Sequence, residues 1–173
     1  MEAKLTREEM LERLMRSYEP YFDVERYEDG EKDDMPLRAH CRFYVHSSKY
    51  VLIKKAQLWA ADCNEYVYVF SVPELTEEVF ARCRDYAYEE GMKLVNPKPD
   101  HMYSYITAVF LCDTCTPEAR KALQKCRIYK SFHFSLYGWM DFHTALLVRG
   151  ENRSYTNRSG RGNAKLMKSI LNS

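Results

Sequence analysis

Four groups of residues in this chain have types and spacings that could do chemistry. Asp62 and Glu65 flank a turn into an apolar strand. Carboxylates so placed can hold a divalent cation, with a nearby lysine orienting the attacking water. Lys54 and Lys55 precede these acids in the sequence. Cys112-Asp113-Thr114-Cys115 lies between an apolar run and a helix-opening Thr116-Pro117. A helix N-terminus lowers a thiol pKa and would suit redox exchange, whereas Asp113 opposes thiolate formation. Asp141 and His143 are two apart on a strand, so they share a face, and the carboxylate can orient the imidazole. Arg158, Arg161 and Lys165 sit in a glycine-containing basic tail, where planar guanidinium forks can clamp a phosphate.

Each group also has a plainer reading. Asp62 and Asn64 are turn formers, Cys112 can end a strand facing inward, and Asp141 with His143 can form a polar pair on a solvated face. The basic tail can be a soluble hairpin and helix, and its spacing is not that of a P-loop. Cys126 and His133 could join the thiol pair around zinc, but Cys126 falls on the inward stripe of a helix and no second C-x-x-C exists. No metal site and no cofactor is therefore expected. His101 can sit at a pocket mouth or cap a strand, and Trp139 can anchor the core or offer a stacking surface.

The chain is 173 residues long, which suits one domain with its own core. With 46% hydrophobic and 29% charged residues it has an ordinary globular composition. The 14 tyrosines and 8 phenylalanines point to a dense core or an apolar patch. A net charge of +1 argues against a bulk electrostatic hold on DNA or membranes. The six cysteines follow a densely charged N-terminus without an apolar leader, so reduced thiols and a cytoplasmic setting are expected, with no membrane partner.

Positioning these residues requires an alternation of helices and strands. Thr6 and Glu9 form a capping box for a helix over 6–18 with Met10, Leu11, Leu14, Met15 and Tyr18 on one face. An acidic loop, 25–34, follows and ends at Pro36. Strands are expected over 41–46, 50–59 and 65–72, joined by short turns as an antiparallel meander. Thr76 caps a helix with Val79, Phe80, Cys83 and Ala87 inward, and Gly91 is its expected stop. A strand over 102–111, a helix opened by Thr116-Pro117, a strand over 129–137 and another over 139–148 come next. Gly150-Glu151-Asn152 reads as a turn, and 163–171 as the closing helix. The expected fold is a single α+β domain, 1–173, with a mixed sheet in the order helix-β-β-β-helix-β-helix-β-β(-β)-helix. Residues 1–38 give the N-terminal helix and acidic loop, and 149–173 the basic C-terminal hairpin and helix.

The order from Thr6 to Leu111 resembles the PD-(D/E)xK nuclease-like fold without its motif, since the Glu-x-Lys that this resemblance implies is replaced by Glu65-Tyr66-Val67. The segments NEYVYVFSVPELTEE (64–78) and FSLYGWMDFHTALL (134–147) resemble stretches of uncharacterised, conserved bacterial proteins, a resemblance that implies no activity. The expected role is non-catalytic binding, or a degenerate nuclease-like scaffold, with a phosphate-bearing ligand or nucleic acid held by Arg158, Arg161 and Lys165. The alternatives are metal-dependent phosphodiester cleavage at Asp62 and Glu65, and thiol redox at Cys112 and Cys115. A homodimer paired through the aromatic strand is a further option.

Overall fold

Three threonines set the helical register of the chain. Thr6, Thr76 and Thr116 each accept a hydrogen bond from the backbone three residues on, opening α1 (Arg7–Tyr18), α2 (Glu77–Leu94) and α3 (Pro117–Lys125). Acidic residues occupy the first turn of all three and a basic residue the last, matching the helix dipole. The structure, a computed structural model, describes residues 5–46 and 62–172. The expected strand at 50–59 lies outside the described residues.

Among the described residues, β1 (Asp23–Arg26), β2 (Leu37–His46), β3 (Asp62–Leu75), β4 (His101–Cys115), β5 (Tyr129–Ser131), β6 (Trp139–Val148) and β7 (Arg153–Thr156) form one sheet. Its order is β1-β2-β3-β4-β6-β5, and β7 pairs with β6 beyond the end of β5. β3, β4 and β6 run parallel, and the other pairings are antiparallel. This is an α+β domain with a mixed sheet. α2 and α3 are the crossovers that parallel neighbours require, and α4 (Ala164–Asn172) closes the chain after a short 3₁₀ helix over Ser159–Asn163.

Both faces of the sheet are covered. Tyr66, Tyr68, Phe70, Ile106, Phe110, Phe142 and Leu146 pack under α2 and α3. Val67, Val69, Val109, Leu111, Ala145 and Leu147 pack under α1 and α4. The near-continuous apolar runs of β3, β4 and β6 follow from this double burial.

Several expectations change. The sequence gives no signal for β1, whose residues Asp-Val-Glu-Arg lie at the edge of the acidic segment. β4 continues to Cys115, four residues past Leu111. Gly91 lies inside α2, not at its end, because a Cβ there would meet the Ile106 side chain at 2.7 Å. Of the strand expected over 129–137, only Tyr129–Ser131 forms. His133, Phe134 and Ser135 have φ of 47°, 54° and 68°, a left-handed turn that ends the strand. Phe132 stays buried, while Phe134 and Leu136 face solvent.

Candidate functional site

The two acidic candidates separate first. On β3, Asp62 shares a face and a pocket with Asn64 and Tyr66, and its carboxylate meets Lys98 Nζ at 2.8 Å. Glu65 takes the opposite face with Val67, as strand alternation requires. There Thr107 Oγ1 donates to Glu65 Oε1 at 3.1 Å. Burial pushes the Glu65 carboxyl up, and the Thr107 hydrogen bond offsets this only in part. Among the described residues no three His, Cys, Asp or Glu side chains gather as metal ligands.

The thiols are placed inside β4 rather than at a helix N-terminus. Cys112 is buried in the core and its Sγ donates to the Leu147 carbonyl at 3.6 Å. Burial pushes its thiol up to about 12, and Cys115 moves the same way by burial. Both thiols are free. The Asp113 side chain between them pairs with Arg7 at 3.0 Å and with Arg149. Burial works against its ionised form, but the two guanidiniums outweigh it and hold the carboxyl below the usual range.

Asp141 and His143 do come together, with Asp141 Oδ2 at 3.9 Å from His143 Nε2. The His143 ring lies 4.4 Å from that of Tyr105, which stacks on Tyr103 at 4.5 Å. Burial lowers the pKa of His143, and Asp141 opposes that only partly. Trp139 extends this row of rings, 5.9 Å from Tyr103. His101 is a buried tie, with Nδ1 2.7 Å from the Tyr137 carbonyl and Nε2 2.8 Å from Ser104 Oγ.

The basic tail is shaped by Asn157. Its Oδ1 accepts from the Gly160 amide at 2.8 Å, which pins the turn that carries Arg158. Gly160 is required by packing, since a Cβ would meet Asn157 Oδ1 at 2.6 Å and the Thr144 carbonyl at 2.8 Å. The glycine that suggests a phosphate loop therefore serves the fold. Arg158 then lines an open cleft of about 760 Å³ between β5 and β7 at the sheet edge. Lys125, at the end of α3, and Arg127 bring two more cations to it. Tyr129 supplies a half-exposed ring, Ser159 a hydroxyl, and Asp141 is the one acid in the lining. Arg161 and Lys165 are exposed and lie outside this lining.

The expected trio of Arg158, Arg161 and Lys165 is thus divided, and Lys125 and Arg127 enter in its place. They precede the tail by some thirty residues. Their signal in the sequence is a run from Ala119 to Met140 with five basic residues and no acidic one. Among the described residues, Arg158, Arg127 and Lys125 have no carboxylate partner. Arg7, Arg26, Arg38, Arg42, Arg84, Arg120 and Arg149 are each paired.

No helix is long and apolar enough to cross a membrane, among the described residues. No curated protein and no solved structure matches the chain. One family model does match, over residues 6–169, and it spans every described element from α1 to most of α4. The chain therefore belongs to the family described as Domain of unknown function (DUF8052).

Proposed function

We propose that the protein binds, without transforming it, a phosphate-bearing ligand in the cleft at the basic edge of the sheet. Arg158 is the anchor, and Lys125 and Arg127 supply further charge. The observation that carries this reading is the set of three cations around one cleft with a single acid, none of the three paired with a carboxylate among the described residues. Unpaired guanidinium forks suit phosphate oxygens, and the cleft volume falls within the range of about 300–1,000 Å³ usual for small-molecule sites. The Tyr129 ring offers a flat surface to whatever group carries the phosphate. Arg161 and Lys165 add to the attracting field from outside the cleft.

Binding is favoured over cleavage because Asp62 and Glu65 face opposite sides of the sheet, so a nuclease-like metal site has no paired carboxylates there. Thiol redox is disfavoured by the buried, protonated Cys112. Titration calorimetry with inorganic phosphate and with a nucleoside monophosphate tests the proposal. Arg158→Ala and Arg127→Ala should each weaken binding roughly tenfold or more, the usual range for a charged hydrogen bond. Equal affinity of both variants and the parent chain would reject the site.

A further inference from the structure

We infer that the phosphate-bearing ligand at this edge is the headgroup layer of an anionic lipid bilayer, into which the loop 132–138 inserts Phe134 and Leu136. This rests on the cleft reading above for its polar half. The apolar half is independent of it. Phe134 is 99% exposed and Leu136 74% exposed.

That exposure is built into the backbone. The Phe132 amide donates to the Gly138 carbonyl at 3.0 Å, and the Tyr137 amide returns to the Phe132 carbonyl at 3.1 Å. Leu136 and Gly138 donate to the His133 and Ser135 carbonyls at 3.0 and 3.2 Å. Three successive left-handed residues cost backbone energy. Phe132 is buried below them, and Gly138 is wedged against the carbonyls of His101 and Met102, where a Cβ would come within 2.6 and 2.2 Å. A loop tied at this many points holds its apolar tip outward.

Charge tells which surface the tip meets. Residues 119–173 contain eleven basic residues against Asp141 and Glu151 alone, whereas residues 1–118 contain 15 basic and 23 acidic ones. The net charge of +1 therefore conceals a polarised molecule, and it no longer argues against a charged surface as partner. Within 1–118 the acidic loop 25–34 joins β1 to β2 at one side of the sheet, while 119–173 forms most of α3 with β5, β6, β7 and α4 toward the other. β5 joins the cleft wall at Tyr129 to the loop in three residues, about 10 Å of strand. Phosphates at the cleft and acyl chains under Phe134 are then reached together, as interfacial anchors penetrate about 5–10 Å. A free phosphate compound has no use for Phe134 and Leu136. A second copy docked by a two-fold axis would set one basic edge against another. Nucleic acid would be met by ring stacking, in which Leu136 has no part.

Flotation of the whole chain with phosphatidylcholine vesicles, with and without phosphatidylglycerol, tests the inference. Calorimetry with inorganic phosphate runs beside it. The parent chain should float only with the anionic vesicles, and less so in high salt. The double variant Phe134→Ser, Leu136→Ser should lose vesicle binding by roughly 100-fold while keeping phosphate binding. Arg158→Ala should lose both. Circular dichroism on each variant confirms the fold. Phosphate binding without flotation would overturn the bilayer inference and leave the cleft reading intact. Flotation that survives the loop variant would overturn it too, as would self-association abolished by that variant. Loss of neither activity in Arg158→Ala would remove the cleft reading itself.

Discussion

The carboxamide of Asn157 completes the outer side of β6 at Thr144. β5 pairs with β6 only as far as Asp141, and β7 only from Ala145 onward. In the gap, Asn157 Oδ1 accepts from the Thr144 amide at 3.0 Å, and its Nδ2 donates to the Phe142 and Cys126 carbonyls at 3.0 Å each. One side chain thus satisfies backbone groups in the gap that β5 and β7 leave.

Asn157→Ala should therefore cost about 2–4 kcal/mol, since several buried polar groups lose their partners at once. Urea unfolding measures it. The same variant should weaken phosphate binding, because the turn carrying Arg158 is pinned by this residue. Unfolding within 1 kcal/mol of the parent would refute the role, that being about the contribution of a single hydrogen bond.

His40 makes stability depend on pH. Its ring stacks on Tyr68 at 4.4 Å with Nε2 buried and without a hydrogen-bond partner among the described residues. Burial, with Arg42 adding to it, lowers the pKa from 6.5 to about 4. The unfolded chain then takes up a proton that the folded chain refuses. Stability is lost as pH falls from 6.5 through 4. The loss is roughly 1–2 kcal/mol, since water screens the partly exposed ring. His40→Phe keeps the stack and should flatten this part of the profile. His143, shifted in the same direction by burial, contributes the slope that remains. Superimposable pH profiles for variant and parent would show that His40 is not the group.

Glu65 has the opposite sign. Its folded pKa lies above 4.5, so its contribution is present below that pH and is lost as pH rises. Glu65→Gln keeps an oxygen for the Thr107 hydroxyl and removes the charge. The variant should melt at a higher temperature at pH 7 and equal the parent near pH 4. A lower melting temperature at pH 7 would mean that ionised Glu65 is held by a cation.

Cys112 should resist alkylation in the native chain at pH 8, because its thiol is buried and pushed up to about 12. Mass mapping after brief iodoacetamide treatment reads this out. Rapid labelling of Cys112 ahead of the half-buried Cys63, Cys115 and Cys126 would reopen redox chemistry at this strand.

The helices were legible because local signals agree with burial. Thr6, Thr76 and Thr116 cap where the sequence places them, and Met10, Leu11, Leu14, Met15 and Tyr18 are all buried as a stripe. The alternation of Phe132, Phe134 and Leu136 misled for a physical reason. Period-two apolarity marks a strand only when one face is covered, and here the backbone turns left-handed after Phe132. Gly91 misled similarly, since a glycine can serve helix packing as well as termination. The cleft was half legible. Arg158 stood out in the tail, but Lys125 and Arg127 join it only through the β5–β6 pairing, a contact that local sequence does not encode.

The sheet ends in short strands. β1 has four residues, β5 three and β7 four, and β1 carries Asp23, Glu25 and Arg26. Among the described residues β3 and β4 have a neighbour on each side, β1 covers β2 at Ala39–Arg42, and β5, β7 and Asn157 line β6. Where β1 covers β2, an incoming strand would meet the charged side chains of Asp23, Glu25 and Arg26 rather than β2 itself. Fibre growth by strand addition at the β1, β5 and β7 edges should thus be disfavoured, although the central strands are rich in β-branched and aromatic residues.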